Sequence, residues 1–314
     1  MRNRGYIYGE QVDAGGAGRS VLEHLRTRWE RAREDEWRTR IEAGEVRLDG
    51  AVAAAGQRLR AGQRLSWERP PWDEPEAPVC TALLYEDADL LAVAKPRGLP
   101  TMPGGGLFLE STLLAVVRHR DPAAVPVHRL GRHTSGIVLF ARTQEARVGL
   151  QRALRERRVR KVYRALCVGH PRADAFEVDA PIGEVPYPPT GTLHAATADG
   201  RPSRSLVRVL ERREGEVVTS LLEVEIETGR PHQIRIHLAF AGHPLQGDPL
   251  FGPGGLPLPG GLAVPGDAGY RLHAFRLGLA HPRTGAAVEV ECTPPPVLRT
   301  GLRPAQCPSM GAIR

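Results

Sequence analysis

No stretch of this 314-residue sequence approaches the ~18 consecutive apolar residues that a membrane span requires. Its opening, MRNRGYIYGEQVDAGG, lacks the apolar centre of a secretory signal. Four cysteines, Cys80, Cys167, Cys292 and Cys307, are too scattered for a C-x-x-C metal or redox site and too few for a disulfide scaffold. Together these shortages predict a soluble chain of a reducing compartment, the cytoplasm, with no metal and no membrane partner. Lysine is nearly absent: of 43 Lys and Arg residues only Lys95 and Lys161 are lysines. The formal net charge is nevertheless +7, a balance that favours anionic partners, of which nucleic acid is the commonest. The same excess of arginine follows equally from a GC-rich coding bias, so placement of the charge has to decide. At 41% hydrophobic and 25% charged the chain buries a substantial core, which excludes wholesale disorder.

Residues 1–18 are polar and Gly-rich and read as a flexible tail. Ser20 and Glu23 then form a capping box, with Leu22, Leu25 and Trp29 following at helical spacing. A second helix fits Glu36 to Ala43, stopped by Gly44, and Asp49-Gly50 is a two-residue hairpin signal. The helical part is dense in arginine (Arg26, Arg28, Arg31, Arg33, Arg38, Arg40) but also carries Glu30, Glu34, Asp35 and Glu36, so a solvated face is one reading. Residues 19–68, with the pattern IEAGEVRLDG and then LRAGQRLSW, resemble the small α/β S4 RNA-binding module. Residues 69–80, beginning RPPWDEPEAP, read as a Pro-rich linker. From 81 to 300 short apolar runs (LLAVA, GIVLFA) alternate with turns, LLEVEIE alternates apolar with Glu, and Thr143–Arg157 has helical spacing. This predicts an α+β domain built on a mixed, largely antiparallel sheet. Residues 252–269, rich in proline and glycine, read as an exposed loop, and 301–314 as a tail.

Four stretches could carry chemistry. In Lys95-Pro96-Arg97-Gly98-Leu99-Pro100, proline and glycine fix the path and Lys95 and Arg97 would present charge to an anion. His128-Arg129-Leu130-Gly131-Arg132-His133-Thr134-Ser135-Gly136 gathers polar groups ahead of a buried strand; Ser135 lacks a neighbouring base and the G-x-S-x-G elbow, which argues against a hydrolase. QRALRERRVRKVYR, residues 151–164, sets seven positive residues, among them Arg158 and Lys161, against Glu156 alone, with Tyr163 near its end. Basic charge beside an aromatic suits a nucleic-acid backbone and base. Finally, Thr228–Ala239 (TGRPHQIRIHLA) predicts a helix with Pro231 at its first position and Gly242 as its stop. His232 and Arg235 share one face, Arg230 offers a phosphate site at the N-terminal turn, and His232 and His237, five apart, make a poor metal pair.

In that order, KPRGLPTMP, HRLGRHTSGIVLFA, KVYRALCVG, TGRPHQIRIHLAFAGHPLQGD and LHAFRLGLAHPRTG resemble the RluA-type RNA pseudouridine synthases from about residue 81 to 296. The resemblance implies a cofactor-free enzyme that flips a uridine out of structured RNA, ribosomal or transfer, and rejoins its base to the ribose through carbon. It assigns Arg129 to displacement of the target nucleotide, Tyr163 to stacking on the flipped base, and Arg235 to pairing with the catalytic carboxylate. The family's pattern there is HRLD, and the aspartate position is Gly131. Glycine has no side chain to attack the ribose or take a proton. Loss of such a group costs on the order of 10⁴ to 10⁶ in rate and leaves Arg235 without its partner. Asp248 and Asp121 are the candidate substitutes by sequence, and a positive φ is a second possible reason for the glycine. Two readings follow: a synthase with a displaced acid, or a catalytically silent RNA-binding protein of the same fold, for example in ribosome assembly. Nothing in the sequence demands more than a monomer.

Overall fold

The computed structural model describes residues 2–29, 32–104 and 106–301; the 301–314 tail lies almost wholly outside them, as do Glu30 and Arg31. The chain divides into two compact units, Met1–Pro75 and Glu76–Arg314, with the division inside the Pro-rich segment.

In the first unit, α1 (Val21–Arg28) and α2 (Glu34–Glu42) accompany β1 (Tyr6–Gln11), β2 (Val46–Leu48), β3 (Ala51–Val52) and β4 (Arg64–Arg69), in the sheet order β1-β4-β2-β3. The capping box forms as its residue types dictate: Ser20 Oγ accepts from the Glu23 amide and Glu23 accepts from that of Ser20. Asp49 and Gly50 both adopt positive φ, the two-residue turn joining β2 to β3. Residues 1–18 are not simply a tail, because β1 pairs along its length with β4. Its alternating residues gave no apolar face, since Tyr6 and Ile7 stay exposed, and backbone pairing is invisible to hydropathy. The core gathers Val21, Leu25, Trp37, Ile41, Val46, Leu65 and Trp67. The helical arginines are ion-paired on the surface: Arg26 and Arg38 to Glu34, Arg28 to Glu10, Arg33 to Asp35.

The second unit is the expected α+β architecture. Its strands are β5 (Ala82–Glu86), β6 (Leu90–Lys95), β7 (Val125–Pro126), β8 (Ser135–Ala141), β9 (Arg160–Val168), β10 (Ala175–Asp179), β11 (Ile182–Tyr187), β12 (Gly191–Ala196), β13 (Arg204–Arg213), β14 (Thr219–Ile226), β15 (Arg271–Ala280) and β16 (Ala287–Glu291). Its helices are α3 (Leu113–Arg120), α4 (Gln144–Arg155) and α5 (Gln233–Phe240). The ten-stranded sheet runs β10-β13-β14-β9-β15-β8-β6-β5, with β16 on β15 and β7 on β8, while β11 and β12 form a separate ribbon. All of these pairings are antiparallel except β15 with β8.

The sheet separates two cores, and strand parity assigns residues to them. Leu91, Val93, Val138 and Phe140 enter one; Leu90, Ala92, Ile137 and Leu139 enter the other, against Ala146 and Leu150 of α4. This is why GIVLFA is continuously apolar. At Gly136 (φ 113°) an added Cβ would lie 2.2 Å from the Ala274 carbonyl oxygen, so the parallel contact of β8 with β15 requires glycine. The unforeseen α3 is short, and its Thr112 cap accepts from the Ala115 amide.

Candidate active site

The loop after β6 and the segment ahead of β8 are laced together through backbone. Thr101 Oγ1 accepts from the Leu130 amide (3.1 Å) and donates to the Leu130 carbonyl (2.9 Å), gripping the residue before Gly131. Lys95 does not present charge to an anion, which corrects its expected role in RNA binding. It is 1% exposed, and its Nζ donates to the carbonyls of Pro96, Leu99 and Arg132 at 3.0, 2.7 and 3.0 Å. Burial, helped by Arg97 and Arg132, brings its pKa down to about 7. Arg97 is half-buried, and its guanidinium donates to the Tyr270 carbonyl. Arg129 is exposed.

Gly131 lies on the surface with no positive φ, so backbone strain is not the reason for glycine there. An added Cβ would instead meet the Tyr270 hydroxyl at 3.0 Å and Thr134 Oγ1 at 3.5 Å. The phenol of Tyr270, itself 1% exposed, takes the space beside residue 131 and lies 3.3 Å from Thr134 Oγ1.

Over that ring stands Arg235, its guanidinium carbon 4.2 Å from the Tyr270 centroid. The helix carrying it begins at Gln233 rather than at Pro231, because His232 caps it in the left-handed conformation (φ 57°). Gln233 ties the preceding turn: its Oε1 accepts from Thr228 Oγ1 (2.7 Å) and the Arg230 amide (3.1 Å), while its Nε2 donates to the Arg204 carbonyl (2.9 Å). Gly242 ends the helix with φ 83°, as expected. Arg230 turns its guanidinium to the Pro202 carbonyl (3.2 Å). His232 packs near Phe251, and burial beside Arg235 lowers its pKa to about 3, so the ring is neutral at physiological pH. His237 is spent on Ser205 Oγ and the Ala180 carbonyl in the core.

Arg235 is not left without a partner. Its Nε and Nη2 each donate at 2.7 Å to the two oxygens of Asp248, and the two side chains are 2% and 1% exposed. Asp248 Oδ1 further accepts from the Leu250 and Phe251 amides at 2.9 and 3.2 Å. Asp248 thus supplies the counter-charge but has no face left for a substrate. Asp121 is bound to Arg142 (2.6 Å) and does not meet Arg235.

Tyr163 lies on β9 opposite Val224 and Ala274, 9% exposed, in the same core cluster as Leu130 and Tyr270. Burial raises its hydroxyl to about 12, so it stays protonated. The stretch 151–164 does not form one basic patch. On β9 the residues alternate: Arg160 and Arg164 point to Glu225 and Glu223 (3.0 and 3.2 Å), while Lys161 shares the Tyr163 face, its amine 3.4 Å from the Thr228 carbonyl. Arg158 is exposed and paired with Glu156. A buried pair was missed entirely: Ser135 Oγ lies 2.9 Å from His273 Nδ1, whose Nε2 meets the Cys292 carbonyl. Ser135 does have a base, brought by the parallel strand. The ring's other nitrogen must donate to Cys292, so Nδ1 accepts from the hydroxyl, and both side chains are too buried for a substrate.

With this geometry in place, similarity to known proteins is decisive. A family model described as RNA pseudouridylate synthase matches residues 89–240. An uncharacterized RNA pseudouridine synthase of Synechocystis (slr1592) is 42% identical over 89% of this chain and 96% of its own length. The chain belongs to the RNA pseudouridine synthase family. RNA pseudouridine synthase 5 of Arabidopsis thaliana is 40% identical over 84% of this chain and 85% of its own. Ribosomal large subunit pseudouridine synthase D of Nitrosomonas europaea is 36% identical over 84% and 77%. The solved human RNA Pseudouridylate Synthase Domain Containing 1 superposes with a TM-score of 0.56 at 28% identity, covering 71% of this chain and 87% of that one. Membership supports RNA as substrate and uridine isomerisation as the chemistry. Among the described residues no helix is long and apolar enough to cross a membrane.

Proposed function

We propose that this chain is a cytoplasmic, monomeric pseudouridine synthase of ribosomal RNA that needs no cofactor, with its Met1–Pro75 unit serving as an S4-like RNA-binding module. Arg129 displaces the target uridine, which enters the pocket and lies over Tyr163. There the N1–C1′ bond breaks, the uracil turns, and C5 bonds to C1′. The observation that carries this reading is the Arg235–Asp248 pair. A buried arginine that had lost its carboxylate would cost about 3–5 kcal/mol. Here the charge is met by two 2.7 Å hydrogen bonds, so the pocket stays intact around glycine at 131. Ribosomal RNA is favoured by the relative named for the large subunit, and a protonated Tyr163 offers an uncharged ring to the base.

A second reading has its own support. Gly131 carries no acid and Asp248 is fully engaged, as in an RNA-binding protein that no longer turns over. Purified full-length chain incubated with ribosomal RNA transcripts separates them. Pseudouridine at one or a few fixed uridines is expected; tight binding without conversion would overturn the first reading and leave the second.

A further inference from the structure

We propose that Asp267, on the loop leading into β15, supplies the carboxylate that residue 131 lacks. The inference rests on the synthase reading and names the acid that reading needs. The segment from Val264 to Tyr270 passes between the two landmarks of the site. At one end the Pro265 carbonyl lies 3.5 Å from Arg235 Nη1; at the other, the Tyr270 hydroxyl reaches the space beside Gly131. The run is fixed rather than loose. At Gly269 (φ 143°) a Cβ would stand 1.9 Å from the Gly247 carbonyl oxygen, so the loop is held against the turn that presents Asp248. Between these anchors, Asp267 closes a turn: its amide donates to the Val264 carbonyl (2.9 Å) and its Oδ2 accepts from the Val264 amide (2.8 Å).

Three properties distinguish it from the other candidates. Asp248 is bound on both oxygens inside the protein, and Asp121 is held by Arg142. Asp267 is partly exposed, and among the described residues it has no ion-pair partner. Its charge also reaches His133, two residues beyond Gly131, where it opposes burial and the cations Arg132, Arg97 and Lys95. The same loop meets the segment that follows Gly131 at its Tyr270 end, where the phenol hydroxyl lies 3.3 Å from Thr134 Oγ1. In the reaction the Asp267 carboxylate takes the C2′ proton as the N1–C1′ bond breaks. The C2′–H pair becomes the C1′–C2′ double bond and the N1–C1′ pair stays on uracil. After the ring turns, a ring pair on C5 bonds to C1′, the double bond recovers the proton at C2′, C5 gives up its own proton, and N1 takes one. No atom or electron is gained or lost.

The test uses Asp267→Asn in the full chain, since the amide oxygen still accepts from Val264 and preserves the turn. Single-turnover pseudouridine formation should fall on the order of 10⁴-fold, with RNA affinity and thermal midpoint unchanged. Asp267→Glu should recover part of the rate. An Asp267→Asn enzyme within threefold of wild type overturns the inference while leaving the synthase reading in place. A wild-type chain that binds RNA but makes no pseudouridine overturns both.

Discussion

Lys95, the last residue of β6, and Arg235, in the first turn of α5, are both buried cations, but they are answered differently. Three backbone carbonyls surround the lysine, whereas a carboxylate with two further amide donors faces the arginine. Carbonyl dipoles hold an ammonium in place without cancelling its charge, so burial wins and the pKa of Lys95 falls to about 7. A bidentate carboxylate cancels the charge and aligns the fork of the guanidinium. The first arrangement fixes a loop, the second keeps a functional group poised. Lysine, with three rotatable donors, suits convergent carbonyls; arginine, planar and always charged, suits a paired acid.

Three substitutions sharpen that contrast. The largest effect is expected from Asp248→Ala, which leaves Arg235 buried and alone at a cost of about 3–5 kcal/mol, read from urea denaturation. A loss below 1 kcal/mol would mean that the pair contributes little to stability. Lys95→Met should cost about 2 kcal/mol through orphaned carbonyls, and its effect should depend on pH. The folded pKa of about 7 lies below the unfolded value near 10.5, so the unfolded chain binds more protons between them and wild-type stability rises over that window. The deficit of Lys95→Met should therefore be greater at pH 9 than at pH 6; equal deficits would show a lysine that stays charged. Smallest is Arg158→Ala. This exposed residue, tied only to Glu156, should change stability by less than ~0.5 kcal/mol. The salt slope of RNA binding should flatten by about one unit if it meets a phosphate, and an unchanged slope places the RNA contact elsewhere.

Much of the scaffold was legible because its signals are local. Ser20 and Glu23, Asp49-Gly50, the helical spacing from Thr143 and the Gly242 stop each act within a few residues, and each forms as expected. The strand β1 and the split of the 151–164 charges were not legible, for the same reason. Both depend on which distant strand lies alongside: β4 for Tyr6–Gln11, and β14 with Glu223 and Glu225 for Arg160 and Arg164. Ser135 likewise acquires its histidine from 138 residues away.

The residues alone determined the family pattern, the local caps and turns, and the vacancy at 131, since these reside in residue identity and short-range geometry. Tertiary structure alone decided what answers each buried charge. It turned Lys95 inward, gave Arg235 to Asp248, filled the space by Gly131 with the Tyr270 hydroxyl, and held Asp267 on the loop beside them. Electrostatic pairing acts through space at a few ångströms, and which groups come that close is fixed only when the sheet and its loops have closed.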